Sequence, residues 1–114
     1  DDLGDVRIGD LEGRSLDAYR ETPAHSNRKE RFPGGESLDE AALRYAAAFG
    51  RLLARDEPTT LVVCHEIPVR YLANAAGGSD ELNGPLRFVA NATPYLFDES
   101  SLLRAVQRVE ELAG

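Results

Sequence analysis

Methionine is absent from all 114 residues, cysteine occurs once, and basic residues are outnumbered by acidic ones. With Cys64 alone an internal disulfide is impossible, and a reducing, cytoplasmic setting is the simpler expectation. A bilayer needs about 20 consecutive apolar residues. No run here comes close, and no charged-then-apolar leader resembles a signal peptide, so no membrane partner is expected. Thirteen Lys and Arg against twenty Asp and Glu leave a net charge of −7. Nucleic acid is therefore not the expected partner, because phosphate backbones are bound through clustered cations. A small phosphate ester stays admissible, since one local basic pocket suffices for it. The missing methionine and the opening Asp1-Asp2 lead us to expect a piece of a longer polypeptide.

What is present reads as an ordinary globular domain, 42% hydrophobic and 29% charged, and its sharpest feature is residues 59–70, Thr-Thr-Leu-Val-Val-Cys-His-Glu-Ile-Pro-Val-Arg. Residues 59–64 are β-branched or apolar without alternation, which predicts a strand covered on both faces in a parallel sheet. His65 would then stand at the strand's carboxyl end, where α/β folds bind ligands and where the next helix points its free N–H groups at an anion. Pro68 suits the first turn of that helix, and Val69, Leu72, Ala73 and Ala76 make its apolar stripe. A histidine so placed can donate to a phosphate as an imidazolium or pass a proton as a neutral base. The plainer alternative is a structural histidine at a strand end. Cys64 reads as a small buried residue, with a thiol nucleophile as the alternative.

Elsewhere, residues 1–13 carry three glycines among acids and read as a loop. Ser15 caps a short helix to about Glu21, with Leu16 and Tyr19 inward. Residues 22–35 are polar and broken by proline and glycine, and predict an exposed loop in which His25 is inert. That loop gathers Arg28, Lys29 and Arg31, either as a lid over an anionic substrate or as a solvated surface. Ser37 and Glu40 have the spacing of a capping box. The helix it starts puts Leu38, Ala42, Tyr45, Phe49 and Leu52 inward and Asp39, Arg44 and Arg51 outward. Asn83-Gly84-Pro85 marks a turn, residues 86–97 read as one or two short strands, and Asp98 or Ser100 caps a last helix with Leu102, Val106 and Val109 inward. The order implies a layered α/β/α fold with a mostly parallel sheet, incomplete in this chain because so apolar a strand asks for a partner on each side.

Several of these segments in order resemble the C-terminal part of the histidine phosphatase superfamily, in its phosphoglycerate mutase-like branch. Leu3, Asp5, Gly9, Glu12 and Gly13 are similar to its Leu-x-Glu-x-x-x-Gly-x-x-Glu-Gly segment, and residues 33–37 to its Pro-Gly-Gly-Glu-Ser turn. Residues 62–65 with Arg70 are similar to its strand ending in Ser-His-Gly, with arginine five residues after the histidine, and residues 91–93 to a late strand. The resemblance implies residues 1–114 are one C-terminal part of a single α/β domain, missing an N-terminal strand, that hydrolyses phosphoric monoesters through a phosphohistidine. It implies that His65 is the pocket's second histidine and that Asp5 stands where the family has its glutamate proton donor. Glu36, in the glycine turn, and Arg28 and Arg31, in the loop before it, are the substrate-binding candidates. No cofactor or metal is implied. The partner implied is a small phosphorylated substrate, with a homodimer left open. The family's nucleophilic Arg-His-Gly occurs nowhere in this chain, and Glu66 replaces the glycine after the second histidine. The short connection between Tyr19 and Pro33 leans toward a phosphatase rather than a mutase. The alternative function is a non-catalytic, degenerate relative that binds a phosphorylated ligand or a protein through the His65 pocket. A hydrolase using Cys64 is a third, and would be inactivated by alkylation.

Overall fold

Helices close their backbone hydrogen bonds within themselves, and the segments expected to be helical on that basis are helical. A computed structural model describes residues 2–114; Asp1, the first residue of the opening loop, lies outside the described residues. A 3-10 turn η1 (Gly9–Leu11) is followed by α1 (Leu16–Glu21), α2 (Pro23–Ser26), α3 (Leu38–Leu53), α4 (Glu66–Ala76) and α5 (Glu99–Ala113). The Ser15 hydroxyl accepts from the Ala18 N–H at 3.1 Å and starts α1. The capping box forms at α3: the Ser37 hydroxyl accepts from the Glu40 N–H at 3.0 Å, and the Glu40 carboxylate accepts from the Ser37 N–H at 2.9 Å. Asp98 caps α5 by accepting from the Ser101 N–H at 2.8 Å, and these bonds hold its carboxyl below the usual range.

α5 is the packing centre, lying against both α3 and α4, which barely meet each other. Leu38, Ala42, Tyr45 and Phe49 of α3 face Val106 and Val109 of α5 in one continuous core. Of the Val69, Leu72, Ala73 and Ala76 expected as the apolar stripe of α4, Leu72 is buried; the other buried apolar positions are Pro68, Tyr71 and Ala75, so the stripe is rotated from that expected on hydrophobicity alone. Asp39 and Arg44, expected outside, are largely buried because each has an opposite charge waiting: Asp39 accepts from Arg28 Nε at 2.8 Å, and Arg44 reaches Glu36. Leu16 is the reverse case, expected inward but exposed. The polar loop of residues 22–35 is likewise anchored rather than free, by α2 and by the buried side chains of Ala24 and Phe32.

The expected layered α/β/α architecture with a mostly parallel sheet is overturned. Among the described residues the one β pairing is an isolated antiparallel bridge between Arg31 and Ser37. Residues 59–64 form no strand ladder, and Leu61 and Val63 are 88% and 87% exposed, while Val62 packs on the core. Residues 86–97 also pair with nothing as strands. The physical reason is that a strand, unlike a helix, takes its backbone partners from another segment, and these residues present none to either stretch. Apolar composition without such a partner leaves half the side chains in water.

Two close approaches fix the opening loop. The Asp10 N–H donates to the Pro33 carbonyl and the Glu36 N–H to the Arg7 carbonyl, both at 2.8 Å. A Cβ at Gly35 would lie 2.0 Å from the Arg7 oxygen, and one at Gly9, where φ is +56°, would lie 2.3 Å from the Pro33 oxygen. Only glycine fits at either place. The result is that residues 5–10 lie tightly along the 33–36 turn, and Asp5 is carried to the start of α4.

Candidate active site

His65 is the residue before α4, extended at φ −113° and ψ 173°, and its side chain makes no capping bond. Its imidazole is therefore not used to close the helix. The Glu66 and Ile67 N–H groups begin the helix without carbonyl partners inside it, and Pro68 has no N–H, so the positive end of the α4 dipole stands beside the ring. Asp5 Oδ2 lies 3.3 Å from His65 Nδ1, with the two side chains 63% and 50% exposed. An acid and a base within reach of each other, at a helix N-terminus and open to solvent, can bind an anion and move a proton. Asp5 lines an open depression of about 430 Å³ bounded also by Arg14, Tyr19 and Ile67.

A second cavity, of about 210 Å³, lies along α4 and shares Tyr19 and Ile67 with the first; Arg70, Tyr71, Asn83 and Arg87 line the rest. The Tyr19 phenol joins the two. Burial first, and then the neighbouring Tyr71, push its pKa up, while Arg70 pulls it down and Asp5 adds to the rise. Its ring stacks on Phe32 at 5.5 Å and meets His25 edge-on at 4.9 Å. The far wall is held by buried Asn74, whose amide donates to the Leu82 and Leu86 carbonyls and accepts from the Leu86 N–H, each at 2.8 Å.

The chain matches the family model of the histidine phosphatase superfamily (branch 1) over residues 1–111. It belongs to that superfamily. No curated protein and no solved structure matches it. Membership points to phosphatase-type activity, and the positions that carried the resemblance in the sequence are the ones that meet in space: Asp5 from the first segment and His65 from the third, brought together by the glycine turn of the second.

The remaining site candidates of this histidine phosphatase domain have other companions. Glu36 is 13% exposed, pairs with Arg44 and accepts from the Arg7 N–H at 3.0 Å, so it ties the opening segment to α3. Arg31 forms a two-pronged pair with Glu40 at 2.8 and 2.6 Å on the surface, which pulls the Glu40 carboxyl down to about 2. Arg28 donates to Asp39, to the Tyr71 hydroxyl at 3.0 Å and to Asn83 at 3.3 Å, yet its Nη2 is buried with no hydrogen-bond partner. Arg70 Nε is in the same condition. Buried donors without acceptors cost about 1–3 kcal/mol each. Glu66 turns away from His65: one oxygen accepts from the Val89 N–H at 3.2 Å and the other is 3.9 Å from Arg70 Nη1. Cys64 is half-buried, and burial pushes its thiol up, which disfavours a thiolate nucleophile.

Tyr19, Tyr71, Asn83 and Arg87 were not singled out as site residues by the sequence. Only Arg70 carried a signal, its place five residues after His65. Tyr71 reads as one more apolar helix position, and Asn83 and Arg87 as turn and strand residues, until α4 and the 82–87 loop are folded together.

Proposed function

We propose that this domain is part of a phosphoric monoester hydrolase of the histidine phosphatase type, acting on a small phosphorylated substrate in the cytoplasm. The observation that carries the reading is the Asp5–His65 pair at the start of α4, 3.3 Å apart and open to solvent. In the proposed reaction His65 and the α4 N-terminus hold the phosphoryl oxygens, where transferred charge is stabilised most effectively by fixed donors. Asp5 supplies a proton to the departing ester oxygen. The phosphohistidine would form on a nucleophile that these 114 residues do not contain, so the activity is a property of a polypeptide that includes one. The cytoplasmic setting is supported by the single cysteine, Cys64.

The test is hydrolysis of p-nitrophenyl phosphate by the longest polypeptide the source encodes, with and without His65→Ala, in EDTA. Activity unaffected by EDTA that falls by about a hundredfold in the variant, the scale of losing one strong transition-state contact, is the expected result. A polypeptide that contains an Arg-His-Gly segment and yet shows no hydrolysis would overturn it in favour of a binding protein.

A further inference from the structure

Arg44 of α3 directs its whole donor set at the segment that carries Asp5 and at the residue that anchors it. A guanidinium has five N–H donors. In Arg44, Nε and one N–H of Nη2 go to the two carboxylate oxygens of Glu36. The other three go to backbone carbonyls of the opening loop: Nη1 donates to Asp2 at 3.0 Å and to Gly4 at 3.1 Å, and Nη2 to Asp5 at 3.1 Å. The Tyr45 hydroxyl gives the Gly4 carbonyl a second bond, at 3.0 Å. Glu36, held in this way, accepts from the Arg7 N–H at 3.0 Å. Residues on both sides of Asp5 are thus gripped from the start of α3, along a stretch that has no helix or strand of its own. An ion pair with Glu36 alone would need only two of the five donors.

Asp5 needs such a frame. Among the described residues its carboxylate has one polar partner, His65 Nδ1 at 3.3 Å, and is otherwise open to water, so its place is set by its own backbone. We propose that Arg44 is the positioning residue for Asp5: by holding the carbonyls of residues 2, 4 and 5 it aims the Asp5 carboxyl at the ester oxygen that departs. This rests on the phosphatase reading of Asp5 and His65. In that step the P–O bond breaks and the phosphoryl group passes to the nucleophilic histidine that the reading requires elsewhere in the polypeptide. The electron pair stays on the ester oxygen, which takes the Asp5 proton. Arg44 touches none of the reacting atoms and acts only through the backbone it holds. A misplacement of about 1 Å can cost about a hundredfold in rate. Lysine, with three donors on one ammonium, cannot serve the five acceptors that Arg44 meets on four residues.

Two esters of one shape test the proposal, phenyl phosphate and p-nitrophenyl phosphate, hydrolysed by the longest polypeptide the source encodes. A phenol keeps its proton up to about pH 10 and departs well only when protonated, whereas the nitro group lets the same ring leave as an anion. The ratio of the two kcat values, p-nitrophenyl over phenyl, therefore reports on the proton donor. It should rise by about a hundredfold in Asp5→Asn and by about tenfold in Arg44→Lys. The double variant should go no further than Asp5→Asn alone, because both changes remove one function. A residue that only stabilised the fold would lower both rates together and leave the ratio where it was. Circular dichroism reports whether Arg44→Lys is folded; if it is not, Tyr45→Phe, which keeps the buried ring and removes one bond to Gly4, carries the test with an expected rise of about twofold or more. A ratio that moves in Asp5→Asn but not in the folded variant, or a double variant in which the two effects multiply, would overturn the proposal alone. A ratio unmoved in Asp5→Asn, or no hydrolysis of either ester, would overturn the reading of Asp5 beneath it and the proposal with it.

Discussion

The helical body and the extended edge of this molecule have similar apolar content and opposite fates. In the body, Tyr45, Phe49, Tyr71, Val106 and Val109 are buried, and each helix satisfies its own backbone. Along the edge, residues 59–64 and 86–97 hold Leu61, Val63, Phe88 and Leu96 in water, the last 98% exposed. The difference lies in where backbone partners come from. A helix draws them from four residues away, and a strand from a segment that must be elsewhere in the fold. Burial follows the hydrogen bonds, and hydrophobic composition alone does not secure it.

The contrast can be broken by mutation. Phe49→Ala should cost about 3–5 kcal/mol in denaturant unfolding of this chain, as a large buried aromatic does; a loss under about 1 kcal/mol would mean that the α3–α5 core is not the stabilising unit. Leu61→Ser, by contrast, should change stability by no more than about 0.5 kcal/mol. A cost above about 2 kcal/mol there would show that Leu61 is buried and would erase the distinction between the two regions. The smallest effect concerns the surface that joins them. Glu40, held at about 2 against an ordinary 4.5 by Arg31 first and then by the Ser37 N–H, should titrate higher in Arg31→Gln but stay below 4.5, because the capping bond remains, when its carboxyl is followed by NMR. A depressed carboxyl contributes stability that is fully present above its unfolded value and lost as pH falls through the folded one. The Glu40 contribution is therefore complete above about 4.5 and gone by about 2; a midpoint that does not move in the variant would show that Arg31 is not its cause.

The same division explains how much was legible in the sequence. The Ser37 and Glu40 capping box, the Ser15 and Asp98 caps and the inward Tyr45, Phe49, Val106 and Val109 could be read because their causes lie within one or two helical turns. Residues 59–64 were misread as a sheet strand because apolar runs carry no record of a partner. The burial of Asp39 and Arg44 was missed for a related reason, since their partners Arg28 and Glu36 lie in another segment or across a cap. At the candidate site, Asp5 and His65 were visible through motif spacing. The cavity beside them was not, because Tyr19, Tyr71, Asn83 and Arg87 come from three separate segments and only the fold makes them neighbours.

Asn74 fixes the far wall of that cavity. Its carboxamide behaves as one extra peptide unit laid between α4 and the 82–86 loop, taking up two carbonyls and one N–H that would otherwise have no partner there. An amide neither gains nor loses a proton across the range in which carboxylates, phosphates and imidazoles change state. The mould of the pocket is thus fastened by a group blind to pH. Acidification across that range would leave this wall fastened as it is.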